Sequence, residues 1–149
     1  MDFAQEFLHT SYDEAQGLIQ MHWEQIALNK DFMALNPNIE QLEAAEKAGS
    51  LKIFTARKDG ELVGYFAVLV HRALHYQDHV FAVNDVLFLH PDHRKGMAGA
   101  KLIRFGEECL KQDGVSMLFV NVKIHKPFDI LLKRLGFNHV ENVYSKRLN

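Results

Sequence analysis

Apolar residues near the start of the chain repeat at the spacing of an α-helix. Ser11, followed three residues later by Glu14, has the pattern of a capping box, and we therefore expect a first helix from about Tyr12 to Leu28. The apolar positions of that helix are Leu18, Ile19, Trp23 and Ile26. A second helix is expected to open at Asn36-Pro37 and to end at Gly49.

The next third of the chain has the pattern of β-strands. Leu51 to Arg57 and Glu61 to Val70 flank Lys58-Asp59-Gly60, and the Asp-Gly step is typical of a hairpin turn. These two strands should therefore be antiparallel. A third strand follows from His79 to Leu89, and strict alternation would place five of its residues on one face: Phe81, Val83, Asp85, Leu87 and Leu89.

The last third alternates between helix and strand patterns. A helix beginning near Met97 should end at Asp113-Gly114, and the nearly continuous apolar run Val115 to Val122 predicts a buried strand. Pro127 to Gly136 has the spacing of another helix, and His139 to Leu148 is expected to form a last strand. The predicted order is ααβββαβαβ, which is an α/β (α+β) chain.

Composition narrows the class of protein. A length of 149 residues with 48% apolar and 24% charged residues suits a single globular domain over residues 1–149. The net charge of −2 argues against a nucleic-acid binder driven by bulk positive charge. The single cysteine, Cys109, excludes an intrachain disulfide and fits a reducing cytoplasm. No window holds the ~20 apolar residues of a membrane span, so no membrane partner is expected.

A basic, small-residue turn lies between the third strand and the central helix. The apolar run Val86 to Leu89 leads through His90-Pro91 into Arg94-Lys95-Gly96, and the helix pattern follows. A helix start carries unpaired N–H groups and a partial positive charge, so this turn is suited to bind a phosphate. It is not a P-loop, because no Gly-Lys-Ser/Thr follows, and it lacks the dinucleotide fingerprint.

This turn resembles the acyl-CoA signature of the GNAT family of N-acetyltransferases, Arg/Gln-x-x-Gly-x-Gly/Ala at the opening of a helix. Arg94 matches the leading Arg and Gly99 the second small position, whereas Met97 stands where the first Gly is expected and Gly96 precedes it. Leu135-Gly136-Phe137 is similar to the C-terminal motif of the family. The resemblance extends from about Lys52 to the end of the chain.

The resemblance implies a mixed twisted sheet flanked by helices and an enzyme that uses acetyl-CoA as acyl donor. The acetyl group would pass directly to a primary amine of a small molecule or a protein. The third strand would hold the pantetheine arm and the turn the pyrophosphate. The residues so implied are Leu87, Phe88, Leu89, Arg94, Lys95, Gly96, Met97, Ala98, Gly99 and Ala100. In the family, the first two helices and their connector form part of the acceptor wall, which makes Trp23, Phe32 and Met33 candidates, with a core role as the alternative.

Asp85 is the candidate general base. It lies in an apolar row, and burial raises the pKa of a carboxylate toward neutral pH. The alternative is an Asp paired with a nearby Lys or Arg. The family's acid, a Tyr, is replaced by Leu132, so the candidates for that role are His125, Tyr144, bulk water or no acid at all.

Three histidines, His71, His75 and His79, recur every four residues. On a helix this spacing would suggest zinc, but here it spans a strand end and a loop, and no Cys or Glu completes a ligand set. We therefore expect no metal. The histidines would instead lie at the mouth of an acceptor site or be exposed loop residues.

Two further hypotheses stay open. Met97 and Leu132, at the places of the expected Gly and Tyr, are compatible with a catalytically weak acyl-CoA-binding scaffold that acts as an interaction protein. The compressed Arg-Lys-Gly-Met-Ala-Gly turn is also similar to short acetyltransferases of phages, which would imply a virion-associated or host-modifying protein in the host cytoplasm. The sequence leaves the acceptor open, and also whether the protein is a monomer or a homodimer.

Overall fold

The computed structural model describes residues 1–149 and contains one five-stranded mixed sheet in the order β1-β2-β3-β4-β5. The elements in chain order are β1 (Asp2–Glu6), α1 (Leu8–Ile26), α2 (Ile39–Lys47), β2 (Leu51–Lys58), β3 (Glu61–Arg72), β4 (Val80–Leu89), a 3-10 turn (Pro91–His93), α3 (Ala98–Gln112), β5 (Met117–Phe119) and α4 (Asp129–Arg134). Helix α3 packs on one face of the sheet, and α1 and α2 pack on the other. The predicted α+β class with a mixed sheet flanked by helices is confirmed.

The N-terminus differs from the prediction in two ways. Strand β1 was not expected, and it pairs antiparallel with β2. Helix α1 begins at Leu8, so Ser11 lies within the helix and its hydroxyl donates to the Phe7 carbonyl oxygen at 2.9 Å. The predicted capping box is therefore wrong, because the Glu14 carboxylate accepts from the Arg57 guanidinium and from the Leu62 N–H instead.

Arg57 holds β1 and α1 against the hairpin. Its guanidinium donates to both carboxylate oxygens of Glu6, at 2.8 and 3.0 Å, and to Glu14 at 2.9 Å. These hydrogen bonds lower the pKa of the Glu6 and Glu14 carboxyl groups. A half-buried charge network of this kind fixes the position of a short terminal strand that has little apolar area of its own.

The β2–β3 hairpin and the second helix agree with the local sequence signals. Asp59 and Gly60 have φ values of 51° and 86°, the pair of positive values that a two-residue hairpin turn requires. Helix α2 begins slightly later than expected, after Asn38, whose side chain accepts from the Gln41 N–H at 3.0 Å. Gly49, with φ of 78°, ends this segment as predicted.

Strand β4 contains a bulge that overturns the predicted alternation. Val86 pairs with Ala67 and Asn84 pairs with Val68, so Asp85 has no partner on β3. An extra residue exchanges the two faces of a strand. Ala82 and Leu89 accordingly both lie in the core on the α3 side. The expectation that Phe81, Val83, Asp85, Leu87 and Leu89 share one face is therefore wrong.

The C-terminal third is less regular than its pattern predicts. Strand β5 covers only Met117–Phe119 of the expected Val115 to Val122, and α4 begins at Asp129. Residues 139–148 form no strand, so that prediction is wrong. The Arg147 guanidinium lies 3.9 Å from the centroid of the Phe32 ring. The end of the C-terminal segment therefore contacts the α1–α2 connector and does not extend a strand edge. No helix is long and apolar enough to cross a membrane.

Candidate active site

A fork between β4 and β5 is the first part of the site. The two strands pair in parallel only from Phe81–Met117 to Val83–Phe119. Beyond that point the Asn121 N–H donates to Asn84 Oδ1 at 2.6 Å, and this side-chain contact replaces the next rung of the ladder. From Val86 to Leu89, β4 pairs with β3 alone, and Asp85 pairs with neither neighbouring strand. The other edge of this stretch therefore offers backbone groups to an extended ligand.

The turn that follows β4 brings a helix start to the same end of the sheet. The N–H groups of Ala98, Gly99 and Ala100 have no acceptor within the protein, and the first paired one is that of Lys101, bonded to the Met97 carbonyl at 2.9 Å. Three such donors together with the dipole of a 15-residue helix are suited to bind an anion.

Gly96 supplies the backbone freedom of this turn. Its φ is 94°, in the left-handed region, whereas Met97 has φ of −101°, which any residue adopts. Met97 at the place of the family's Gly is therefore compatible with the loop, because the left-handed position lies one residue earlier. A Cβ on Gly99 would lie 3.7 Å from Leu131 Cδ2, an ordinary contact with α4.

Arg94 contacts protein groups on three sides. Its Nε donates to the Leu89 carbonyl at 2.7 Å, one terminal nitrogen donates to Gln25 Oε1 at 2.9 Å, and the guanidinium lies 5.1 Å from the Phe88 ring centroid. Arg94 thus joins the end of β4 to the end of α1. Lys95, by contrast, is exposed and has no partner, so it is the free cation of the turn.

His22 lies beneath Phe88 and was not found from the sequence. Its Nδ1 is 2.9 Å from the Tyr65 hydroxyl, and its ring stacks on Phe88 with centroids 4.7 Å apart. Burial and the positive charge of Arg94 lower the pKa of His22 to about 4, so the imidazole is neutral at pH 7. The signal was available, since Ala15, Leu18 and His22 share one stripe of α1.

Asp85 stands at the fork with an exposed side chain. No Lys or Arg pairs with it, which contradicts the alternative of an ion-paired structural Asp. Partial desolvation by the surrounding strands raises the pKa of its carboxyl above the ordinary value. An unpaired carboxylate with a raised pKa is suited to accept a proton.

The two other candidate catalytic residues are outside the sheet. His125 lies in the turn between β5 and α4, and Tyr144 lies in the C-terminal segment with 89% of its surface exposed. Neither side chain forms a hydrogen bond, and the structure does not join either of them to Asp85. Leu132, at the position of the family's Tyr, is buried.

An open cleft of about 500 Å³ lies beside the α1–α2 connector. Trp23 and Met33, two of the candidates for an acceptor wall, line it, whereas Phe32 lies under Arg147 instead. Lys123, from the segment after β5, lines the cleft as well. The three histidines of the β3–β4 region lie elsewhere: His79 Nδ1 is 2.9 Å from Ser116 Oγ, and His71 meets Phe81 edge-on.

The comparison of the sequence with protein families identifies the class of protein to which this sheet and helix start belong. The model of the Acetyltransferase (GNAT) family matches residues 14–137. The chain therefore belongs to the GNAT family and is an acyltransferase. No curated protein matches it at a significant level.

Several solved structures with the same fold are N-acetyltransferases of low sequence identity, and another is a transcriptional regulator from Bacillus halodurans C-125. The ribosomal-protein-alanine N-acetyltransferase of Brucella melitensis biovar Abortus 2308 superposes with a TM-score of 0.73 at 20% identity, covering 99% of this chain and 100% of that one. An aminoglycoside acetyltransferase from an uncultured soil metagenomic sample gives 0.77 at 18% identity, with 99% and 98% covered. An aminoglycoside N-acetyltransferase solved with CoA gives 0.72 at 16% identity, with 99% of each chain covered.

Proposed function

We propose that this protein transfers an acetyl group from acetyl-CoA to a primary amine of its acceptor. The observation that carries the proposal is the free edge of β4 from Asp85 to Leu89, which lies next to the unpaired N–H groups that open α3. An extended chain with amide groups and a terminal pyrophosphate fits such a pair of features, and CoA has both.

Each part of the donor has a place in this arrangement. The pantetheine amides would pair with the backbone groups of Leu87 and Leu89, as an added strand does, whereas those of Phe88 face Tyr65 on β3. The pyrophosphate would accept hydrogen bonds from the turn and the start of α3, Gly96 to Ala100, with Lys95 as the nearby free cation. Arg94 would act by holding this end of β4 in place. A family neighbour solved with CoA supports the choice of donor.

The chemical step is a direct displacement at the thioester. The amine nitrogen bonds to the carbonyl carbon, the carbon–sulfur bond breaks, and CoA leaves as a thiolate. Asp85 would take the proton of the amine directly or through water. The thiolate would be protonated by solvent, His125 or Tyr144. Holding both substrates in a near-attack geometry would supply most of the rate.

The neighbours support an amine acceptor without selecting one. Their names give a ribosomal-protein alanine and aminoglycosides as acceptors, and both present primary amines. The same fold serves many acceptors, so the acceptor of this chain has to be argued from its own residues.

Acetyl-CoA binding tests the donor part of the proposal. At a concentration of 100 times its Kd, acetyl-CoA should stabilise the folded protein by about 2.7 kcal/mol. For a domain of this size the thermal midpoint should rise by roughly 5 to 10 °C. Release of free thiol with a panel of primary amines then tests the transfer itself.

Two lysines of the α3 region give a matched pair of variants. Lys95→Ala should weaken acetyl-CoA binding by roughly three- to tenfold, since it removes a charge next to the pyrophosphate. Lys111→Ala, at the opposite end of the same helix, should not change the affinity.

An unchanged thermal midpoint of the wild-type protein with acetyl-CoA would reject the proposal.

A further inference from the structure

The cleft beside the α1–α2 connector combines an apolar wall with polar side chains and one ammonium group. The indole of Trp23 and the side chains of Met33 and Leu35 form the apolar part of its lining. The polar residues that line it are Asn29, Asn36, Lys123 and Ser145. No carboxylate is among the lining residues.

Two further cations lie around this cleft. Lys30 Nζ lies 5.4 Å from the centroid of the Trp23 ring and also donates to the Glu24 carbonyl oxygen. Arg147 lies over Phe32. An aromatic face orients a cation without neutralising its charge. Neither Lys30 nor Arg147 lines the cleft, so Lys123 is the cation that a ligand in the cleft would contact.

No acidic residue lines the cleft. Asp31 is the one acidic residue between Ala27 and Asn38, and it does not line the cleft. The Glu24 side chain accepts from Gln20 one turn back along α1. Lys123 itself has no ion-pair partner. The residues that line the cleft thus carry one positive charge and no negative charge, which favours a ligand with an anionic group over a polycation.

The cleft is connected to the fork by a short piece of chain. Asn121, which donates to Asn84 at the fork, is two residues before Lys123. A ligand anchored at Lys123 would therefore lie beside the segment that follows β5, two residues from the contact with Asn84, the neighbour of Asp85 in the chain.

We propose that this cleft binds an acceptor amine that carries an apolar or aromatic body and an anionic group, a carboxylate or a phosphate, which Lys123 holds. The proposal rests on the proposed function, because it assigns the acceptor class of that same reaction. The apolar body would contact Trp23 and Met33, and the anionic group would pair with the Lys123 ammonium. Polycationic amines, which need carboxylates around them, would be poor acceptors.

Acceptors that share one aromatic frame test this proposal. We would compare kcat/KM for 4-(aminomethyl)benzoate, its neutral benzamide and its phosphate-bearing analogue, with spermidine as the polycation. The two anionic amines should exceed the benzamide by about tenfold, chiefly through a lower KM, as expected for one charge-assisted contact. The ratio between the carboxylate and the phosphate analogue then identifies the anion.

Variants of Lys123 identify the source of the preference. Lys123→Gln should abolish the advantage of the anionic amines and leave the benzamide unchanged, and Lys123→Glu should favour spermidine. Lys111→Gln, on the far end of α3, is the control and should keep the wild-type preference. Equal kcat/KM for acid and amide, a preference that survives Lys123→Gln, or spermidine as the best wild-type acceptor would overturn the proposal.

A binding measurement separates this proposal from the proposed function. Calorimetric titration with 4-(aminomethyl)benzoate in the absence of acetyl-CoA reports on the cleft alone. Lys123-dependent binding without any thiol release would uphold the anionic-ligand site and reject the acetyl transfer. Thiol release from other amines, with no binding of the anionic probes, would uphold the acetyl transfer and reject the anionic-ligand site.

Discussion

Asp85 is the residue of β4 that the bulge leaves without a partner on β3, and this position determines its chemistry. A residue within the regular ladder would point into a core or into a covered face, whereas Asp85 remains exposed at the fork. It forms no ion pair, and partial desolvation raises its pKa. The bulge on the β3 side therefore places the candidate base at the point where β5 leaves the other edge of β4.

The substitution Asp85→Asn tests the role of this residue as a base. Asn has nearly the same shape but cannot accept the proton, so acetyl-CoA affinity should be unchanged while turnover falls by roughly 10²- to 10⁴-fold. The loss should be smaller at high pH, where more of the amine is already deprotonated. In the wild type, kcat/KM should fall as the pH falls through the raised pKa of Asp85, and steady-state rates over pH would record that limb.

The exposed Asp78 in the β3–β4 loop provides the control. Asp78→Asn should turn over like the wild type at every pH. If Asp85→Asn also keeps the wild-type pH profile, another group takes the proton. If it fails to fold, which circular dichroism would detect, Asp85 is a structural residue and the base has to be sought elsewhere.

At the scale of elements, the turn between β4 and α3 depends on Gly96. Its φ of 94° is strained for any residue with a Cβ, yet a Cβ there would meet no atom within 4 Å. Gly96→Ala should therefore lower the free energy of unfolding by about 1 to 2 kcal/mol through backbone strain alone. It should also weaken acetyl-CoA binding, because relaxation of the turn would move the N–H groups of the α3 start. Chemical denaturation and calorimetry measure the two effects.

Gly17 offers a comparison within a helix. It lies in α1 without a positive φ, and a Cβ added there would meet no atom of another element within 4 Å. Gly17→Ala should stabilise the protein by roughly 0.5 to 1 kcal/mol and leave acetyl-CoA affinity unchanged. A Gly96→Ala protein as stable as the wild type would show that the turn adopts a different backbone conformation from the one described.

Elements with strong local signals could be predicted from the sequence. The hairpin turn at Asp59-Gly60, the central helix and the basic turn at its start were all expected where they occur, since each depends on contacts between near neighbours. Strand β1 could not be predicted, because pairing with β2 and the distant Arg57 fix its position. The bulge at Asp85 depends on β3 in the same way.

In the candidate site, too, the local features could be predicted from the sequence and the long-range contacts could not. The residues of the turn follow from a motif, and their positions at the start of α3 are as expected. The contact between Asn84 and Asn121, the positive cleft at Lys123 and the engagement of Arg94 with Gln25 each join segments far apart in the chain. A single sequence gives no local signal for such pairs.

At the scale of the whole molecule, the contact between α1 and the sheet includes a neutral histidine. His22 is buried among Tyr65, Phe88 and Arg94, and Ala15, Leu18 and Leu62 form the apolar cluster beside it. Protonation of His22 in the folded state would place a charge next to the Arg94 guanidinium in a poorly solvated space. A neutral imidazole therefore favours the packing of α1 on the sheet, and with it the position of Trp23 in the wall of the cleft.

This arrangement predicts a pH dependence of global stability with a definite sign. The pKa of His22 is lowered from 6.5 to about 4 in the folded protein. Between those two values the unfolded chain binds more protons than the folded one, so stability is fully present above pH 6.5 and is lost as the pH falls toward 4. The contribution should be on the order of 3 kcal/mol by pH 4. The pKa values of Glu6 and Glu14 are also lowered. Their contribution to the free energy of unfolding is therefore lost as the pH falls below their ordinary pKa of 4.5.

The variant His22→Gln separates the histidine from those carboxylates, because Gln retains a hydrogen-bonding group for the Tyr65 hydroxyl and does not titrate. Free energies of unfolding from urea titrations between pH 7 and pH 4 should fall more steeply in the wild type than in His22→Gln, with the difference concentrated between pH 6.5 and 4. His75→Gln, which removes an exposed histidine without hydrogen bonds, serves as the control for the loss of one imidazole. Parallel curves for the wild type and His22→Gln over this range would mean that His22 is protonated in the folded protein or open to water. Helix α1 would then be held to the sheet by its apolar contacts and by the hydrogen bonds of Glu14 and Gln25.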